Sequence, residues 1–297
     1  MKRTVVSGLA VGFAVGVVSV ACSGTVDVGG FDPADSGKAS DAPSGDAGSQ
    51  PNGPTVEVRL RATQAKVPVL EGTSGQTPLA QTLSIVSLSL YRDAADVSPL
   101  VVFDAKDTGA DGVTCSVADG ADTSIATVPI ARLVAGRYTR ARIGVTKVTW
   151  KVRGRAHTQG LAFDGTFDTV QVLTKGATAE GAVRDQGYYK TTFETVGAQP
   201  VTTEGVQPLP IPPTSGIVTF VNEGARAFYE FPVDLVVDTA VTQNLASVFE
   251  VNTYENFRWQ DQATAGYEAG VWDTTGAAFE PVVSFGVNSA KLSFVQR

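Results

Sequence analysis

From Thr55 onward the apolar residues of this chain keep returning at every second position, and this alternation constrains the fold more than any other feature. A strand turns successive side chains to opposite faces, so a period of two marks a half-buried strand, whereas a helix repeats near 3.6. Val56, Val58 and Leu60 alternate with Glu57, Arg59 and Arg61. Leu83, Ile85, Leu88, Leu90 and Tyr91 continue the pattern, with a change of phase near Val86-Ser87 that predicts a β-bulge. Tyr138 to Val152 alternates around Arg140, Arg142 and Lys147. Phe163 to Leu173 reads as two strands turning near Asp164-Gly165, followed by Tyr188 to Val196, Ile217 to Val221 and Phe228 to Val237. Phe249, Val251, Thr253, Phe257 and Trp259 fall on one face of a late strand, and Phe279 to Val287 and Leu292 to Val295 close the chain. Only Val237 to Phe249 has room for a helical turn or two. Many short strands punctuated by Gly and Pro predict an all-β class. The expected architecture is an antiparallel β-sandwich over residues 55–297, as one large sandwich or two fused ones. The Pro-rich run Pro208 to Pro213 puts the best internal boundary near residues 205–215.

The preceding residues have a different character. Residues 22–54 are Ser, Gly, Asp, Ala and Pro almost throughout, with Val26, Val28 and Phe31 as the large apolar side chains. Five aspartates (27, 32, 35, 41 and 46) face the single Lys38, a net charge of −4. Such a composition buries too little apolar surface to offset its ordering entropy, so a disordered tether is expected. A coil of this length has a root-mean-square span of roughly 30 Å. Ahead of it, Lys2 and Arg3 precede an uncharged run from Thr4 to Val26, and Ser19-Val20-Ala21 stands before Cys22. A positive start, an apolar stretch and small residues at the cut are the elements of an export signal.

This arrangement resembles a bacterial lipoprotein signal, although Ser19 stands where an aliphatic residue is usual, with Val18 just behind it. The resemblance implies removal of residues 1–21, lipidation of Cys22 and attachment of the chain to a lipid bilayer. Ser23 after the lipid site implies the outer membrane, by the sorting rule of enteric lipoproteins. The alternative is a retained anchor, since about 20 apolar residues span a bilayer and Gly8, Gly12 and Gly16 show the spacing of packed membrane helices. Under both readings the downstream domain is exported.

A second resemblance is local. Leu133, Gly136 and Tyr138 look like the Leu-x-x-Gly-x-Tyr start of a strand in transthyretin-like and immunoglobulin-like sandwiches, where the tyrosine hydroxyl satisfies nearby backbone. The same pattern is similar to uncharacterised lipoprotein domains suspected of binding carbohydrate.

The chemistry-bearing residues are few. Beyond the tether 20 basic residues face 25 acidic ones, without the basic patch that nucleic-acid binding needs, so no nucleic-acid partner is expected. His157 is the single histidine, which excludes a zinc protease with paired histidines. Its setting, Gly154 to Thr158, reads as a polar hairpin tip at the surface. No Gly-x-Ser-x-Gly nucleophile turn is present. Cys115 has no partner once Cys22 is lipidated and reads as a buried, inert thiol. Asp104, Asp107, Asp111, Asp119 and Asp122 lie among Gly109, Gly112 and Gly120. They could offer oxygen ligands to calcium, but Asp and Gly also make ordinary turns. Aromatics on a sandwich can stack on sugars, and Trp259, Tyr267 and Trp272 concentrate beside carboxylates between Asn256 and Asp273, which makes them the candidate ligand-binding residues. Aromatics also fill sandwich cores. The expected role is a non-catalytic binding or structural protein of the cell envelope with a glycan or envelope protein as ligand, and no catalytic residue, metal or cofactor is assigned. A glycan hydrolase built on paired carboxylates, or a carbohydrate-binding module, is the alternative.

Overall fold

A computed structural model describes residues 53–158, 160–209, 218–240, 242–262, 267–274 and 279–297. The readings of the signal and of the tether up to residue 52 lie outside the described residues, as does most of the Pro-rich run at 210–217. The regular secondary structure of the described residues is almost wholly strand. In order come β1 (Thr55–Thr63), β2 (Ser74–Gln76), β3 (Ala80–Tyr91), β4 (Leu100–Phe103), one short helix α1 (Ala105–Thr108), β5 (Val113–Ser116) and β6 (Asp122–Pro129). Then follow β7 (Gly136–Thr158), β8 (Leu161–Val172), β9 (Thr178–Ala179), β10 (Ala182–Val183), β11 (Tyr188–Glu194) and β12 (Val201–Val206). The chain closes with β13 (Thr219–Glu223), β14 (Arg226–Val237), β15 (Leu245–Asn252), β16 (Phe257–Trp259), β17 (Val282–Ser284) and β18 (Ser289–Gln296).

Two sheets carry the core. The smaller has the order β18-β15-β1-β6, and the larger runs β12-β11-β8-β7-β14-β13 with β3 on the other edge of β7 and β4 and β5 on β3. The inward positions of β1, namely Val56, Val58 and Leu60, are fully buried, as are Leu83, Leu88 and Leu90 of β3 and Ala141 and Val145 of β7. Phe231 on β14 and Phe249 on β15 meet between the sheets with ring centroids 5.1 Å apart. Among the named strands pairing is antiparallel except between β1 and β15, which run parallel from Val56↔Leu245 to Thr63↔Asn252. The alternation of β1 predicts its buried face, but it is silent on the direction of a partner so distant in sequence. The bulge expected near Val86 is present, with the β3–β7 register shifting on both sides of Ile85. Gly112 packs closely against it, since a Cβ there would lie 2.4 Å from the Ile85 carbonyl oxygen.

Several sequence expectations are corrected. Phe163 to Val172 belongs to one strand, β8, and Gly165 lies within it opposite Gly154. The glycine serves packing, since a Cβ at 165 would stand 2.6 Å from the Phe193 ring and 2.3 Å from the Glu194 carbonyl oxygen. The late run from Phe249 to Trp259 is two strands in different sheets, broken where the Asn252 side chain accepts from Tyr254 N (3.1 Å) and Glu255 takes φ +41°. Instead of a helical turn, the chain before Phe249 enters β15 at Leu245. Apart from these corrections, β12 and β13, the strands on either side of the Pro-rich run, belong to one sheet.

Two local features shape the large sheet. Leu133 is buried, and Tyr138, also buried, donates its hydroxyl to the Val134 carbonyl at 2.8 Å, as the Leu-x-x-Gly-x-Tyr resemblance implies. Tyr138→Phe is expected to cost about 1 kcal/mol, the net worth of one such bond, and no shift in the denaturant midpoint would count against that role. Further along, the neighbour of β7 changes at Thr146: β14 pairs with Gly136 to Val145 and β8 with Lys147 to Thr158. The Thr146 carbonyl takes Leu173 N at 2.8 Å and Thr174 N at 3.1 Å, so the fork leaves it satisfied. Beyond the fork the β7–β8 hairpin runs out to its tip, where the segments around β16 and β17 pack on it through Val152, Phe257, Trp259 and Trp272.

Candidate functional site

The three aromatics singled out in the sequence meet at this hairpin tip, but they do not form an open platform. Trp259, on β16, is 0% exposed, so neither face can stack on a ligand, and its place as a ligand-binding residue is corrected to a core residue. Residues 257–259 pair with both β2 and β17, which encloses them. The Trp259 indole donates from Nε1 to Asp261 Oδ1 at 3.1 Å, and Ser74 Oγ donates to Asp261 Oδ2. Trp272 is partly buried, edge-on to Phe167 (5.2 Å) and Phe257 (4.8 Å), with Nε1 donating to the Glu280 carbonyl at 3.0 Å. Gly154 makes room for it, since a Cβ there would stand 3.0 Å from the indole. Tyr267 is half-buried, and its hydroxyl is pushed up in pKa by desolvation and by the neighbouring Asp261 carboxylate.

Around these rings lies a cluster that the sequence only partly signals. Residues 272–274 run along the free edge of the β7 tip, with Arg155 N donating to Trp272 O (2.8 Å) and Thr274 N to Arg155 O (3.0 Å). Alternation then turns Trp272 toward Gly154 and Phe167 and turns Asp273 to the other face. There Asp273 Oδ1 meets His157 Nε2 at 2.5 Å. Glu280 returns beside Asp273: its N–H donates to Asp273 O at 2.8 Å. Its carboxylate accepts from Asp273 N (2.9 Å) and Gln262 N (3.0 Å). Asp273 and Glu280 are both 0% exposed. Burial raises the Glu280 pKa, and the charges of Asp273 and Asp261 push the same way against the two backbone donors. Asp273 Oδ2 is buried and has no hydrogen-bond partner. Arg155 is engaged elsewhere, on Asp164 (2.7 Å) and Glu268 (2.9 Å).

His157 is therefore not the surface histidine its hairpin setting suggests. Its side chain is 20% exposed and meets a carboxylate 116 residues away. A separation of that size leaves no local trace in sequence. Glu280 escaped notice too, although a glutamate between Phe279 and Pro281 in an apolar run is the kind of signal that marks a buried carboxylate.

The remaining candidates are dispersed. Asp104 caps α1, Asp107 pairs with Arg132 (2.7 Å) and Asp122 with Arg59 (2.9 Å). Asp119 accepts Gln64 N at 2.8 Å, and Asp111 accepts Thr178 N at 2.5 Å, which lowers the Asp111 pKa. Among the described residues no group of three or more His, Cys, Asp or Glu is placed to hold a metal ion. Cys115 is buried, and burial pushes its thiol pKa up to about 12, away from the reactive thiolate. A shallow cavity of about 300 Å³ beside Gln186, Pro208 and Phe220 has no titratable side chain in its described lining. Compared with known proteins, the chain matches no family model, no curated protein and no solved structure.

Proposed function

We propose that this chain is an exported, lipid-anchored protein of the cell envelope whose β-sandwich serves binding or structure rather than catalysis. The observation that carries the reading is the N-terminal sequence: a positive start, an uncharged run and small residues before Cys22. The acidic tether would give the domain reach from a bilayer, and Ser23 favours the outer membrane. No helix among the described residues is long and apolar enough to cross a membrane. The neighbouring Asp273 and Glu280 are wholly buried, whereas a glycosidase needs its pair on either side of an accessible bond, which favours binding over hydrolysis at this pair. A glycan or an envelope protein is the proposed ligand, with the half-buried Tyr267 and Trp272 the remaining aromatic contacts.

Intact mass and membrane partition of the native protein, beside a Cys22→Ala variant, test this. A mature chain starting at lipidated Cys22, with the variant unprocessed or released, is the expected result. A chain that keeps Met1 and partitions identically in the variant would replace the lipid with a spanning anchor.

A further inference from the structure

We propose that His157, Asp273 and Glu280 form a proton-operated latch that fastens residues 257–262, 267–274 and 279–285 onto the tip of the β7–β8 hairpin. Two carboxylates with no solvent exposure sit beside each other, and the His157 imidazole meets one of them, Asp273, at 2.5 Å. The guanidinium on the same strand face, Arg155, is held outward by the exposed Asp164 and Glu268. Asp261 adds a third negative charge from the β16 side, and the Tyr267 hydroxyl lies beside it.

Ionised carboxylates in this setting are costly, and one oxygen, Asp273 Oδ2, is buried without any donor. A proton held in the cluster removes one negative charge and supplies the missing donor. His157, one-fifth exposed, is its route to solvent. The same side chains fasten the segment. Glu280 ties Gln262, Asp273 and itself together through backbone N–H groups, and Asp273 ties that unit to β7 through His157. Loss of the proton leaves unscreened negative charge at the point of attachment. The folded cluster thus binds the proton more tightly than the unfolded chain, so the latch is fastened at low pH and loosens as pH rises.

Hydrogen exchange followed by mass spectrometry on the full chain tests this at pH 5.5 and 8, corrected for intrinsic exchange. Protection of peptides within 257–285, relative to peptides in β1 and β15, is expected to fall by about tenfold between the two pH values. His157→Gln should flatten that difference, and Asp164→Asn, which removes an exposed partner of Arg155, should leave it intact. A wild-type ratio that does not change with pH overturns the latch, and so does a full pH dependence surviving in His157→Gln. Should that variant fail to fold, the wild-type comparison decides alone.

Discussion

Phe231→Ala lowers the free energy of unfolding by about 3–5 kcal/mol, the range for emptying a buried aromatic site. Phe231 is 1% exposed and faces Phe249 across the two sheets, so its removal leaves a cavity where neither backbone can close without disturbing its ladder. Phe228 is a control on the same strand. It is three residues away on the opposite face, where Arg142 lies over its ring at 5.3 Å, and Phe228→Ala should cost about 1 kcal/mol. Urea or guanidinium titrations of both variants provide the measurement. Equal losses would mean that the sheets do not meet at Phe231.

Glu280→Ala is the second large effect, a loss of about 2–4 kcal/mol at pH 5. Removing the carboxylate strands two backbone donors, Asp273 N and Gln262 N, and each buried unsatisfied group costs about 1–3 kcal/mol. The loss shrinks as pH rises, and the sign follows from the raised pKa of this group. A carboxylate that holds its proton more tightly when folded contributes most below its unfolded pKa and loses that contribution as pH climbs through the folded value. The alanine variant lacks this dependence, so the gap between it and the native chain is widest in acid. A gap that widened toward pH 8 would show that Glu280 is better accommodated as an anion than its surroundings imply.

The two variants divide along what the sequence could reveal. Phe231 lies in an alternating run, and its burial follows from parity alone. So do the faces of β1 and β3 and the bulge at Val86, because period two is a local property. The bond from the Tyr138 hydroxyl to the Val134 carbonyl was legible for the same reason, with its donor and acceptor four residues apart. The cluster was not. Asp273 and the aromatics stood out by composition, but composition did not show that Trp259 would be sealed between β2 and β17. Nor did it show that His157 would find its partner 116 residues away. Gly165 was misread for a related reason. A glycine that makes room for a ring and a glycine that makes a turn look alike until the neighbouring strand is in place.

The parallel pairing of β1 with β15 has a consequence for the order of assembly. Thr55–Thr63 must find Leu245–Asn252, and almost the whole domain separates them. During synthesis β1 therefore waits, with the edge meant for β15 open, until the last few strands have left the ribosome. Contacts so far apart carry the largest loop-closure entropy and tend to form late. The alternating charges of β1, Glu57, Arg59 and Arg61, then acquire a purpose beyond solubility. A waiting strand studded with charge is a poor template for a stranger, and this one has to wait longer than any other described strand.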